Sequence, residues 1–135
     1  MYKKILMAVA PDHEGDVSDM IDRARGLLSE DGQITLLSVV EQVPSYVAEY
    51  VTVKPKSKIL KEVGARLETI TKGERDLAFE VVSGHPGVAV PDFAEKMGAD
   101  LIMVASHRPG LQEYFLGSTA SRVVRRAPCS VLVLR

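Results

Sequence analysis

Leu101-Ile-Met-Val-Ala-Ser-His-Arg-Pro-Gly-Leu-Gln-Glu-Tyr-Phe-Leu-Gly-Ser-Thr119 is the stretch on which the fold turns. It opens on an unbroken apolar run, Leu101–Ala105. A polar loop carrying Pro109 and Gly110 follows, and Gly117-Ser118-Thr119 then begins a helix-like run. A run that is apolar throughout, instead of alternating, marks a strand covered on both faces, as in a parallel sheet. A polar loop that leaves such a strand and enters a helix N-terminus offers free backbone N–H groups and the positive end of a helix dipole. Both favour an anion.

Working outward, four further apolar runs read as strands: Lys4–Ala10, Gln33–Val40, Ala78–Val82 and Ser130–Leu134. Between them the spacing turns helical. Val17, Met20, Ile21, Ala24, Leu27 and Leu28 share one helix face, and so do Ile59, Leu60, Val63, Leu67 and Ile70. Gly32 and Gly73 stand where C-terminal stops are expected. A third helix is predicted over Pro86–Met97, with Pro91 expected to kink or shorten it. Gly98-Ala99-Asp100 then leads into the fourth strand. A last helix runs from about Ser118 to Arg126, where Pro128 ends it. Strict alternation of strand and helix predicts an α/β fold, an open doubly wound sheet with right-handed crossovers. No internal repeat or linker divides the chain, so one domain over residues 1–135 is expected. The Glu41–Pro55 segment is longer than most connections and leaves the second strand at the ligand-binding edge of such a sheet.

Composition narrows the function classes. A chain of 135 residues, 46% apolar, buries a core without disulfides or metal. Its 17 basic and 18 acidic residues give a net charge of −1, which supplies no electrostatic basis for binding nucleic acid or an anionic membrane. The single cysteine, Cys129, reads as a small apolar core residue before it reads as a reactive thiol. The apolar run Ile5–Ala10 is shorter than a signal-peptide core, and no run approaches the ~18 residues of a membrane span. A cytoplasmic protein is expected, with no membrane partner.

Ligands of open α/β sheets bind at the carboxyl ends of the strands, near the point where strand order reverses. Three segments are predicted to meet there: Ala8–Asp12, Ser38–Glu41 and the loop Ala105–Thr119. Gly117 permits close backbone approach. Ser118 either caps the last helix or, with Thr119, reaches a phosphate oxygen. His107 and Arg108 offer side-chain donors, although Arg108 is equally readable as a solvated loop charge. The chain has neither a G-x-x-x-x-G-K-[ST] loop nor a G-x-G-x-x-G turn. His13, His85 and His107 are well separated, and no metal site is assigned. Ser18 and Ser38 lack the G-x-S-x-G setting of a nucleophile. Arg122, Arg125 and Arg126 read as cations placed near a helix C-terminus.

The runs Gly98–Pro109 and Leu116–Leu134 resemble the universal stress protein family. So do Lys3-Lys-Ile-Leu-Met-Ala-Val9, Leu36–Val40 and the turn Gly84-His-Pro86. The resemblance covers nearly the whole chain, and Ala105-Ser-His-Arg-Pro109 looks like the form found in a subgroup of small bacterial members. It implies a Rossmann-like five-stranded sheet of order 3-2-1-4-5. It also implies a homodimer in which the last strands, here Ser130–Arg135, pair antiparallel. Many members bind ATP through a G-x2-G-x9-G-[ST] pattern; others lack it and bind no nucleotide. In this chain Ala105 and Arg108 replace the first two glycines, and eight residues separate Arg108 from Gly117. Ala10 stands where the family usually has a nucleotide-contacting Asp, with Asp12 two residues later.

Carried over by position, the resemblance makes Ala8, Val9 and Ala10 the lining of an adenosine pocket, with Asp12 as stand-in for the missing Asp. Val39 would meet adenine with backbone groups. Ala105, Ser106, His107, Arg108 and Gly110 would approach the phosphates, and Gly117, Ser118 and Thr119 would close that end. The function so implied is a regulatory homodimer of the stress response that binds ATP or AMP, with any Mg2+ carried by the nucleotide. The alternatives are a dimeric interaction module without nucleotide, or a slow ATP hydrolase or self-phosphorylating protein with His107 as candidate acceptor.

Overall fold

The computed structural model describes residues 1–11, 17–41, 56–105 and 117–134. In chain order these form β1 (Tyr2–Ala8), α1 (Val17–Leu27), β2 (Leu28–Val40), α2 (Lys56–Thr71) and β3 (Leu77–Ser83). Then come α3 (Pro86–Met97), β4 (Leu101–Ala105), α4 (Ser118–Arg126) and β5 (Ser130–Leu134). The strands make one five-stranded sheet, parallel throughout, in the order β3-β2-β1-β4-β5. The predicted class, alternation and strand order all hold.

Each face of the sheet carries its own core. Ile5, Met7, Ile34 and Leu36 pack with Ile21 and Ala24 of α1 and with Val63 and Leu67 of α2. Leu6, Leu37, Ile102 and Val104 face the other way, onto Val90 and Ala94 of α3 and Ala120 and Val123 of α4. Successive residues of a strand point to opposite faces. Because both faces are buried, both parities are apolar, and this is why the runs do not alternate.

Three local expectations are corrected. Gly32 does not stop α1: the helix ends at Leu27 and β2 starts at Leu28. Between the pairs Tyr2↔Leu28 and Lys4↔Gln33 the register shifts, and β2 bows outward there. A Cβ on Gly32 would lie 2.5 Å from Leu28 Cδ1 and 3.0 Å from the Lys3 carbonyl, so the glycine serves a close approach inside the strand. Leu28 fits the helix stripe and a strand equally well, which is why periodicity misplaced the boundary. Pro91 does not shorten α3, which continues to Met97 with Pro91 buried. The helix stops instead at Gly98 (φ 70°, ψ 37°). There the Gly98 N–H donates to the Glu95 carbonyl at 3.2 Å, and the Ala99 N–H donates to that of Ala94 at 2.9 Å. Ser118 is the first helical residue of α4 and not its cap. Gly117 holds the cap position and has no side chain to bond there.

Gly64 lies inside α2 over β3. A Cβ there would meet Val81 Cγ2 at 3.9 Å and Phe79 Cε2 at 4.0 Å, ordinary contact distances. Gly64→Ala therefore keeps the packing and removes the backbone entropy of glycine, and should stabilise the protein by about 0.5–1 kcal/mol. Urea unfolding checks this; a lowered midpoint would mean that α2 cannot accept the methyl group.

Candidate ligand site at the strand ends

β1 is the strand from which order reverses. The chain passes from it to β2 and β3 on one side and returns to β4 and β5 on the other. The crevice beyond its carboxyl end is thus bounded by β2 and β4. Ala8, Val9 and Ala10 carry the chain out of β1 into this crevice. Val9 is buried and Ala10 exposed. The pair Met7↔Met103, continued two places, sets Ala105 level with Val9. On the other side the Val9 N–H donates to the Leu37 carbonyl at 2.8 Å, which places Val39 one step further along the same edge of β2.

α4 starts at this edge and runs back beside the sheet. Gly117 is extended (φ −61°, ψ 159°), and its carbonyl accepts the Ser121 N–H at 2.9 Å. Gly117 has no side chain to cap them, and the first-turn N–H groups of Ser118 and Thr119 make this helix end electropositive. The fold thus gathers Ala8, Val9, Ala10, Val39 and Ala105 at one sheet edge and starts α4 at that edge. Asp12, Ser106, His107, Arg108 and Gly110 lie outside the described residues, as do residues 42–55 and Arg135.

A cavity of about 540 Å³ begins at Val9, Ala10 and Ser38 and continues between α1 and α2 towards Arg25 and Glu74. That size is in the range of small-molecule sites. The sequence reading missed it, because hydrophobic spacing fixes which face of a helix is buried and not how far two helices stand apart. On the opposite face α3 and α4 pack directly together, whereas α1 and α2 leave a groove. At its far end the Arg25 guanidinium grips Asp76, with Nε to Oδ2 at 2.7 Å and Nη2 to Oδ1 at 3.0 Å, and also reaches Glu74 at 3.2 Å. The hydrogen bond from Arg25 holds the Asp76 carboxyl below the usual carboxylate range, against the opposing effect of burial.

Ser38, which opens the predicted segment Ser38–Glu41, is fully buried and donates its hydroxyl to the Val9 carbonyl at 2.7 Å. The sequence signal for it is a hydroxyl inside the mostly apolar run Gln33–Val40, which also holds Thr35.

The three arginines of α4 do not act as one group. Arg125 and Arg126 occupy the last turn, as expected. Arg122 instead reaches the start of α3, with Nη1 2.8 Å from His85 Nε2, while His85 Nδ1 accepts the Gly87 N–H at 3.2 Å. A neutral imidazole has one lone pair, so it accepts from one of these two donors at a time. Cys129 is half-buried against the α3/α4 core. Burial, with a smaller contribution from the Asp100 charge, pushes its thiol up and makes it a packing residue. Among the described residues no cluster of His, Cys, Asp or Glu is suited to a metal ion, and no helix is long and apolar enough to cross a membrane.

Comparison with known proteins agrees with this architecture. The family model described as "Universal stress protein family" matches residues 1–135. Universal stress protein A homolog 2 of Coxiella burnetii is 34% identical over 146 residues, covering 99% of this chain and 95% of that protein. Among solved structures, the hypothetical protein MJ0577 superposes with a TM-score of 0.78 at 26% identity, covering 99% of this chain and 96% of that one. A universal stress protein in complex with cAMP gives a TM-score of 0.63 at 18% identity, with 99% and 97% of the two chains covered. At that identity it shows the shared fold.

Proposed function

This chain belongs to the universal stress protein family, and we propose that it is a regulatory protein of the stress response that binds an adenine nucleotide, ATP or AMP. The observation that carries this is the crevice at the reversal of strand order, opening into a cavity at Val9, Ala10 and Ser38 and served by the glycine-started N-terminus of α4. The relative in complex with cAMP supplies the ligand class, not a pose. In this reading the adenine lies against the backbone of Val39, and the ribose lies along Ala8–Ala10 and Asp12. The phosphates lie among Ala105, Ser106, His107, Arg108, Gly110 and the Gly117-Ser118-Thr119 turn, with any Mg2+ brought by the nucleotide. Backbone N–H groups supply most of the phosphate contacts, so alanine at position 105 is compatible with the site.

The proposal extends to assembly. Residues 1–135 act as one domain, in the cytoplasm, as a homodimer. Among the described residues β5 pairs with β4 and stands last in the sheet order, and Val131–Leu134 are half-buried. Antiparallel pairing with a second copy would cover that edge.

Melting with nucleotide tests the site. A ligand of the folded state stabilises it by about 1.4 kcal/mol at tenfold excess over Kd, a shift of several degrees for a domain of this size. An unchanged melting curve at millimolar ATP and AMP with Mg2+, and no nucleotide released on denaturing the purified protein, would replace this reading with the nucleotide-free interaction module.

A further inference from the structure

We propose that His85 and Arg122 form an oxyanion site between the start of α3 and the first turns of α4, and that its ligand is a phosphate group. The two side chains are donors that face each other, and one oxygen of the anion accepts from both. The site does not depend on adenine and uses none of the residues assigned to the nucleotide above.

The start of α3 decides which nitrogen of His85 carries the hydrogen. Pro86, the first helical residue, has no N–H. The Val88 and Ala89 N–H groups both donate to the His85 carbonyl, at 3.0 Å and 2.8 Å. The Gly87 N–H remains, in a buried residue, and its acceptor is His85 Nδ1 at 3.2 Å. This is the bond of an N-cap side chain to the second residue of its helix. Leaving a buried N–H unpaired costs more than leaving the exposed Arg122 head to water. The one lone pair of the neutral ring therefore goes to Gly87, and Nε2 carries the hydrogen.

Nε2 then stands 2.8 Å from Arg122 Nη1 with an N–H on each side. A guanidinium has no lone pair to offer in return. Among the described residues no Asp or Glu lies within ion-pair distance of Arg122. The guanidinium also stands at the positive end of α3, where an anion is favoured and a cation is not. Its stem holds it there. A Cβ on Gly87 would lie 2.7 Å from Arg122 Cδ, so the stem lies flat over the bare backbone of α3. One oxyanion removes both mismatches. An oxygen between the two nitrogens accepts from Nε2–H and Nη1–H, and its charge answers both the guanidinium and the helix end. Arg122 is exposed, so its head can draw back by the width of that oxygen while its stem stays in place. Inorganic phosphate and the terminal phosphate of a nucleotide share this chemistry. Arg122 lies one turn inside α4, whose start faces the crevice, and the two sources are separated by experiment.

Nitrogen NMR of the histidine rings and arginine side chains of the full chain tests the proposal. It is run near pH 8, where an ordinary imidazole is neutral, with sodium phosphate as probe and sodium chloride of equal ionic strength as control. Without phosphate, His85 should show a protonated Nε2 and a bare Nδ1. A proton on Nδ1 instead would overturn the proposal, because the lone pair would then belong to Arg122. Millimolar phosphate should shift the His85 Nε2 and Arg122 guanidinium resonances, and chloride should not. Arg122→Ala should weaken phosphate binding at least about tenfold, the worth of one charge-assisted hydrogen bond, and Arg122→Lys should recover part of the loss. His85→Asp keeps an oxygen to cap α3 and gives Arg122 a carboxylate. It should melt no lower than the wild type yet bind phosphate at least about tenfold more weakly. A wild type whose two resonances ignore phosphate would reduce the pair to a structural contact and overturn the site. So would folded Arg122→Ala and His85→Asp proteins that bind phosphate as the wild type does. ATP and AMP identify the source. If they shift the same two resonances and phosphate competes, the site holds a phosphate of the nucleotide. If they bind at the crevice and leave both unmoved, it holds free phosphate. If neither nucleotide binds at all, the adenine reading above fails, and the phosphate titration alone decides this site.

Discussion

Gly87→Val is expected to lower the unfolding free energy by about 3 kcal/mol, the upper part of the range for overpacking a close contact. Gly87 is buried in the first turn of α3, where α4 crosses it. A Cβ at this position would lie 2.7 Å from Arg122 Cδ, 2.9 Å from its Cβ and 3.4 Å from its Cγ. The Cδ belongs to a flexible chain and can swing away. The Cβ is fixed to the backbone of α4, so the helix itself must move. This separates the clash into two measurable parts. Gly87→Ala should cost about 2 kcal/mol, and adding Arg122→Ala, which removes Cγ and Cδ but leaves Cβ, should recover less than half of it. Denaturant unfolding of the single and double variants reads out the cycle. A Gly87→Val protein within ~0.5 kcal/mol of wild type would mean that α3 and α4 can part without cost. Because α4 begins at Gly117, a displaced α4 carries the proposed phosphate end with it, and nucleotide affinity should fall in the same variants.

The contact between Gly87 and Arg122 also shows where sequence reasoning reaches its limit. The unbroken apolar run Leu101–Ala105 and the mostly apolar run Ile34–Val40 reveal a two-sided parallel sheet, because burial on both faces leaves its mark on nearly every residue of a strand. The stop at Gly98 is legible too, since a left-handed residue after an apolar stripe has few alternatives to glycine. The stop expected at Gly32, the shortening expected at Pro91 and the cap expected at Ser118 did not occur, for a common reason. Each residue type has two local uses, and the choice between them is made by neighbours distant in sequence: the Lys3 carbonyl against Gly32, the core over Pro91, the extended Gly117 ahead of Ser118. The same limit applies at the site. That Ala8–Ala10, Val39 and Ala105 lie at strand ends was legible, and the sheet order brings those ends to one edge. The orientation of the Val39 backbone depends on the parity of β2 pairing, and the cavity depends on the separation of α1 and α2. Neither quantity is written in hydrophobic spacing.

Asp100→Ala is expected to cost about 2 kcal/mol at neutral pH, from the loss of two charge-assisted hydrogen bonds discounted for partial exposure. Asp100 lies half-buried just before β4. Its Oδ2 accepts the Lys3 N–H and its Oδ1 the Lys4 N–H, each at 2.9 Å, while its own N–H donates to the Lys4 carbonyl at 2.9 Å. One carboxylate thus ties the start of β4 to β1, two strands whose other ends meet at the crevice. Burial raises the pKa of this group, but the N–H bonds from Lys3 and Lys4 outweigh it and leave the carboxyl below the usual carboxylate range. A group whose folded pKa is depressed contributes stability above its unfolded pKa, about 3.9 for Asp, and loses it as pH falls through the folded value. The wild type should therefore lead Asp100→Ala by a constant margin from pH 7 to about pH 5 and by a shrinking margin below about pH 4. Asp100→Asn keeps one acceptor oxygen and should fall between them, about 1 kcal/mol below wild type at neutral pH. Denaturant unfolding of the three proteins at pH 7, 5 and 3 makes the comparison. A margin that stays unchanged down to pH 3 would show that Asp100 contributes by its shape and not by its charge.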